Sequence, residues 1–200
     1  MSTTALPKTR MKVPEFLAWA EAQPRGRYEL VDGEIVAMAP ERVRHNLVKF
    51  AVARALDDAV RRAKLPCTVF TDGVGIVIND ETVREPDASV QCGVEPNLDA
   101  MTLETPLIVV EVASPSSERH DTHAKLIEYF SIRSIRHYLI ILPEKRVVVH
   151  HQRNDGGTID TRIRRDGEIN LTPPGMTVSV VALLGPSSAG AAAADSNERG

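Results

Sequence analysis

Residues 107–112 read Leu-Ile-Val-Val-Glu-Val, a single carboxylate inside an otherwise apolar run, and Ala113-Ser114-Pro115-Ser116-Ser117 follows at once. The second stretch cannot continue a strand, so a buried strand ends at an acid. An ionised carboxylate is too costly to bury alone, and Glu111 therefore has to face a metal, a cation, a cluster of donors or a water-filled cleft. Upstream, Glu85-Pro86-Asp87-Ala88-Ser89-Val90 repeats the situation: the proline interrupts pairing and Asp87 opens a short strand. The interval between the two acids holds a strand, a loop and an adjoining strand, so both carboxylates can meet at one sheet edge. Converging carboxylate oxygens make a hard-cation site suited to Mg2+ or Mn2+. Taken singly, an acid at a strand end is more often a cap or a surface group; the pair carries the argument.

The rest of the composition sets bounds. Two hundred residues, 42% hydrophobic and 26% charged, suit one soluble domain with its own core. That domain is expected over 1–185, with an Ala/Ser/Gly-rich disordered tail over 186–200. A net charge of −3 argues against coating nucleic acid or membrane through bulk charge, while leaving room for local basic patches. No run approaches the ~18 apolar residues of a membrane span, and the first residues lack an apolar signal stretch. Cys67 and Cys92 form no CxxC pair and lie in strand-like apolar surroundings, which reads as two reduced core thiols in a cytoplasmic protein.

The chain in order mixes helices and strands. Val13 to Ala20 reads as a short amphipathic helix with proline in its first turn, and Tyr28 to Met38 as two strands around Asp32-Gly33. Between Glu41 and Lys64, apolar residues recur at three and four from Leu47 to Val60, giving a helix stopped by Leu65-Pro66. Cys67 to Thr71 and Val74 to Ile78 flank Asp72-Gly73 as a second hairpin or a bent strand, and 93–105 reads as a polar loop. After Glu111 a helix is expected to run to about Phe130 with Leu126, Ile127 and Phe130 inward, and Asp121, Lys125 and Glu128 on one face. Strands at 136–142, 146–150 and 158–163 form a meander, and 178–184 is a last short helix or strand.

Other chemistries fit less well. His120 and His123 lack a third zinc ligand at a usual spacing. Ser114, Ser116 and Ser117 near His120 have no GxSxG elbow and sit in ordinary turn chemistry. His150-His151 reads as a strand end, and no glycine-rich phosphate loop is present. On spacing alone, Asp121 and Lys125 are an ordinary solvated helix pair. Arg42, Arg44 and Lys49 at one end of the long helix, and Arg61, Arg62 and Lys64 at the other, are candidate contacts to backbone phosphates, although charges on a long helix are usually a solvated face.

Tyr28-Glu29-Leu30-Val31-Asp32-Gly33-Glu34, His45, Pro86-Asp87, Val110 to Ser116 and Asp121-x3-Lys125-x3-Tyr129, in this order, resemble the Uma-two-type restriction endonucleases of the PD-(D/E)xK nuclease superfamily. The resemblance covers about Tyr28 to Leu142 and implies an α/β fold of the α+β type: a restriction-endonuclease-like mixed β-sheet flanked by helices. It implies Asp87, Glu111 and Glu29 as metal ligands, with Lys125 completing the catalytic set. Ala113 stands where the superfamily pattern puts its lysine, and the family moves that role to Lys125. Ser131-Ile132 and Tyr138-Leu139 depart from the family pattern at packing positions. The implied function is Mg2+- or Mn2+-dependent hydrolysis of DNA phosphodiester bonds, with a homodimer suited to cutting both strands. The alternative is a non-catalytic DNA- or protein-binding member of the same fold.

Overall fold

A computed structural model of the chain describes residues 6, 7, 9–113 and 122–186. The expected tail beyond Pro186, the Ser-His segment and Asp121 lie outside the described residues. In chain order the elements are α1 (Val13–Glu21), β1 (Tyr28–Val31), β2 (Glu34–Ala37), α2 (Val43–Ala63), β3 (Cys67–Thr71), β4 (Gly75–Asn79), β5 (Thr82–Arg84), β6 (Ala88–Cys92) and β7 (Thr102–Leu103). They continue with β8 (Pro106–Val112), α3 (Thr122–Ser131), β9 (His137–Leu142), β10 (Val147–Arg153), β11 (Ile159–Arg164), β12 (Glu168–Leu171), β13 (Met176–Ser179) and α4 (Val180–Leu184).

The largest sheet has six strands in the order β11-β10-β9-β8-β6-β3, antiparallel except for β8 and β9. Strand alternation divides its side chains between two cores. Val110, Val112, Leu139 and Ile141 point to one face, which is covered by the Val48, Val52, Leu56 and Val60 stripe of α2 together with α4 and the β12–β13 hairpin. Val109, Tyr138 and Ile140 point to the other, against Tyr129 and Phe130 of α3. A second sheet, β2-β1-β5-β4-β7, carries α1 through Phe16, Leu30, Ile35 and Val83. This is the expected mixed sheet flanked by helices.

Local chemistry explains the boundaries. Asp32 and Gly33 take φ of 49° and 80°, the left-handed pair that a tight hairpin between right-twisted strands requires. Lys64 closes α2 in the left-handed region at φ 52°, ahead of Leu65-Pro66. Among the described residues no helix is long and apolar enough to cross a membrane.

Several expectations are corrected. Asp72-Gly73 is not a hairpin turn: β3 pairs with β6 in the large sheet, and β4 pairs with β5 and β7 in the small one. The polar loop contains β7. Ile127 points outward at 75% exposure, because α3 turns Tyr129 and Phe130 to the sheet instead. His150 and His151 lie inside β10, where His137 Nδ1 and His150 Nε2 are 2.9 Å apart.

The cysteines are not free thiols: Cys67 and Cys92 are joined by a disulfide. Residues far apart in sequence become direct partners in the β3–β6 register. The bond from Gly93 N–H to Pro66 C=O marks this as a non-hydrogen-bonded pair, the closer kind, and the Cα atoms are 4.0 Å apart. The reduced-thiol argument for a cytoplasmic location therefore lapses. Alkylation of the unfolded, unreduced protein should label no cysteine, and Cys67→Ser/Cys92→Ser should lose about 3 kcal/mol of unfolding free energy, given the 25-residue separation. Two alkylated thiols without reductant would contradict the pairing.

Candidate active site

The antiparallel registers bring three acids into one row. The Thr71–Ala88 and Ala88–Val110 pairs end the registers on this side, with Asp72 just after β3, Asp87 just before β6 and Glu111 one residue further along β8, so the three acids lie at one end of neighbouring strands. Like charges directly across a sheet repel. The row is stable only because cations reach it from the helices on both faces.

From α2, buried Lys49 bridges the first two acids, with Nζ 2.5 Å from Asp72 Oδ2 and 2.9 Å from Asp87 Oδ1, and it also contacts Glu41. His45, one turn earlier, brings Nε2 to 3.7 Å from Asp87 Oδ2, which accepts the Val112 N–H at 2.6 Å. Burial alone would raise the Asp87 carboxyl, but His45, Lys49 and the Val112 N–H outweigh it and hold the carboxyl below its ordinary range. Burial likewise disfavours charged Lys49, yet Asp87, Asp72 and Glu41 together raise its pKa. Arg27 extends this side, donating to Asp72 and Glu85 at 2.6 Å each.

From α3, Lys125 places Nζ 3.1 Å from Glu111 Oε1, and Tyr129 donates its hydroxyl to the same oxygen at 2.8 Å. Lys125 lies 3.7 Å from Glu29 Oε1. Both Glu29 oxygens are committed: Oε1 accepts from Glu85 N–H and Oε2 from Arg84, each at 3.0 Å. Arg84 is braced from behind by Glu128, at 2.7 and 2.9 Å. Burial pushes the Glu111 carboxyl up to about 7, with Asp87 and Glu29 adding to the rise and Lys125 and Tyr129 opposing it.

Asp87, Glu111, Lys125 and Glu29 thus converge at the mouth of β6 and β8. Sequence reasoning missed Glu41, Asp72 and Arg84, and took His45 only as part of a motif. It read Lys49 as a phosphate contact, whereas Lys49 is 5% exposed and turned onto Asp87. A signal was present: Lys49 falls in step with Val52 and Leu56, on the apolar face of α2, where a lysine needs a buried partner.

The donor set suits a hard divalent cation. Glu41, His45 and Asp87 each offer a ligand atom, all within 4.8 Å of one another. Across the described cluster, Glu29, Glu41, Asp72, Glu85, Asp87, Glu111 and Glu128 stand against only Arg27, Lys49, Arg84 and Lys125. The surplus is negative, and an added cation relieves it.

A family model described as "Uma2: Putative restriction endonuclease" matches residues 13–182. An uncharacterized protein, slr1290, of Synechocystis is 24% identical over 176 residues, covering 87% of this chain and 91% of its own. A crystal structure of a "putative nuclease belonging to DUF820" from Anabaena variabilis superposes with a TM-score of 0.66 at 16% identity, over 87% of this chain and 97% of that one. At that identity the likeness establishes the fold.

Folding tightens proton binding at Glu111, so its contribution to stability is full below the ordinary carboxyl range near 4.5 and is lost as pH rises towards about 7. Asp87 acts oppositely, and its contribution is lost only on acidification. Buried His137 and His150, held down to about 4 and about 3, make stability rise with pH up to about 6.5, so the Glu111 effect is read against Glu111→Gln: in EDTA the stability of the wild type relative to that variant should fall by up to about 3 kcal/mol between about pH 5 and about pH 8. A variant as pH-dependent as the wild type would assign the effect elsewhere.

Proposed function

Since the chain belongs to the Uma2 family, described as "Putative restriction endonuclease", we propose that it is an endodeoxyribonuclease, hydrolysing DNA phosphodiester bonds with Mg2+ or Mn2+ as cofactor. One observation carries this reading: Asp87, just ahead of β6, and Glu111 of the adjacent β8 lie at the same end of the sheet, Asp87 accepting the Val112 N–H at 2.6 Å, while the Lys125 amine lies 3.1 Å from Glu111. Asp87 and Glu111 would hold the cation, with His45 and Glu41 within reach. Once bound, the cation supplies charge neutralisation at the phosphate and a lowered pKa for its water.

The remaining roles belong to the chain's own side chains. Lys125 is placed to donate to a phosphate oxygen as negative charge builds there. Tyr129 fixes the Glu111 carboxylate through its hydroxyl. Glu29, with both oxygens committed to Arg84 and Glu85, acts by positioning Lys125, a role that also accounts for its place in the motif. Ala113, just beyond β8, adds no second amine to the site, and it packs on the α3 side of the sheet as Glu111 does, so a lysine there and Lys125 would approach the same carboxylate from the same side. The protein acts as one domain over 1–185, in the cytoplasm where DNA is at hand, and as a homodimer whose two sites address the two strands.

Ala113 favours one competing reading, a non-catalytic DNA- or protein-binding role, which predicts salt-sensitive binding and no metal-dependent cleavage. Incubation of supercoiled plasmid with the protein and Mg2+ or Mn2+ separates the two. Nicking is expected, abolished by EDTA, reduced at least about a thousandfold in Asp87→Ala or Glu111→Ala, and about a hundredfold in Lys125→Ala, with unchanged circular dichroism. A folded Asp87→Ala protein that cuts as fast as the wild type would exclude this site.

A further inference from the structure

The site just described is acidic and would by itself repel a polyanion, in a chain whose net charge is already −3. DNA needs an electropositive approach beside it. The β8–β9 pair is parallel, so both strands end on the site's side of the sheet, where β10 begins and β11 ends. One row crosses that end: Val112 is opposite Ile141, Ile141 opposite Val148, and Val148 opposite Arg164. Arg164 therefore stands three strands from β8, about 14 Å at the usual strand spacing, which is about four nucleotides of a DNA strand.

Basic side chains fill the interval. Arg42 and Arg44 are exposed at the start of α2, immediately before His45. Arg44 reaches Glu144 in the β9–β10 turn at 3.6 Å, which offsets that acid's charge. Lys145 follows in the turn, and Arg165 donates to the Lys145 C=O at 2.9 Å, joining the end of β11 to it. Asp166 is the acid next in sequence. Every residue of β11 is exposed, so nothing among the described residues covers this edge.

Resting on the nuclease reading, we infer that Arg42, Arg44, Lys145, Arg164 and Arg165 form a tract that receives the DNA phosphate backbone and leads it from the β11 edge into the acidic site. These groups read charge and carry no base specificity. Fluorescence anisotropy with a labelled duplex, in EDTA so that cleavage plays no part, tests the tract directly. Arg164→Gln/Arg165→Gln should weaken binding about tenfold or more at about 0.1 M salt and lower the slope of log affinity against log salt by about two. Arg42→Gln/Arg44→Gln should do the same, while Arg61→Gln/Arg62→Gln, at the far end of α2, should change neither.

Wild-type affinity and slope in the first two variants would overturn the tract, as would equal losses in the third, or a wild type that binds anionic lipid vesicles but no DNA. Tight, tract-dependent binding with no cleavage after Mg2+ is added would leave the tract standing and remove the nuclease reading.

Discussion

Lys49 in contact with Asp87 and Asp72 is the interaction on which the rest is arranged. Three carboxylates gather at one end of β3, β6 and β8, an arrangement that is tolerated only when cations or donors meet each of them. The chain draws those partners from elements far apart in sequence: Lys49 from α2, Lys125 and Tyr129 from α3, and the Val112 N–H from β8 itself. Lys49 and Lys125 are the cations that offset the buried Asp87 and Glu111, and His45, Tyr129 and the Val112 N–H complete their hydrogen bonds, so packing and site chemistry are one problem here. The two helices are held on opposite faces of the sheet by separate apolar cores, and this is why amines can approach the row from both sides.

The site sits where the sheet stops being a core. Up to Val110 both faces of β8 are covered by side chains, and at Glu111 the α3 face gives way to polar groups while Val112 still packs under α2. The strand thus carries its acid to the edge of the apolar region, where desolvation is strong enough to raise its proton affinity yet the next residues leave the sheet. Asp87 makes the same transition from the other direction, just ahead of β6, and is kept ionised by its partners. Two carboxylates a strand apart therefore differ in proton affinity because their neighbours differ, a pattern that metal and proton chemistry both exploit.

Much of this was legible in the residues. Glu111 announced itself as an acid at the end of an apolar strand, Asp87 as an acid behind a strand-breaking proline, and Asp32-Gly33 as a hairpin, because each signal is local. Glu41, Asp72 and Arg84 were not legible, since their roles depend on strand register, which no local pattern states. Asp72-Gly73 has the chemistry of a hairpin turn and instead marks the passage from one sheet to the other; the two-residue signal cannot tell these apart. Cys67 and Cys92 failed for the same reason, being partners only through the β3–β6 pairing. Ile127 was misassigned because α3 is short: its apolar stripe is Leu126, Tyr129 and Phe130, and Lys125, Glu128 and Tyr129 also enter the polar network, which leaves Ile127 facing outward.

Register also explains why the disulfide lies where it does. A slip of β3 against β6 by two residues would keep every side chain on its face and preserve most of the ladder, so hydrophobic patterning opposes it only weakly. Such a slip would carry Asp72 away from Asp87 and Lys49, leaving one ammonium to serve a broken row. The Cys67–Cys92 bridge joins the two strands at the end of the ladder opposite those acids, in the same register that sets Asp72 against Asp87. The covalent link excludes the slipped pairings, so the bridge and the Lys49 contacts favour the same arrangement of the acids.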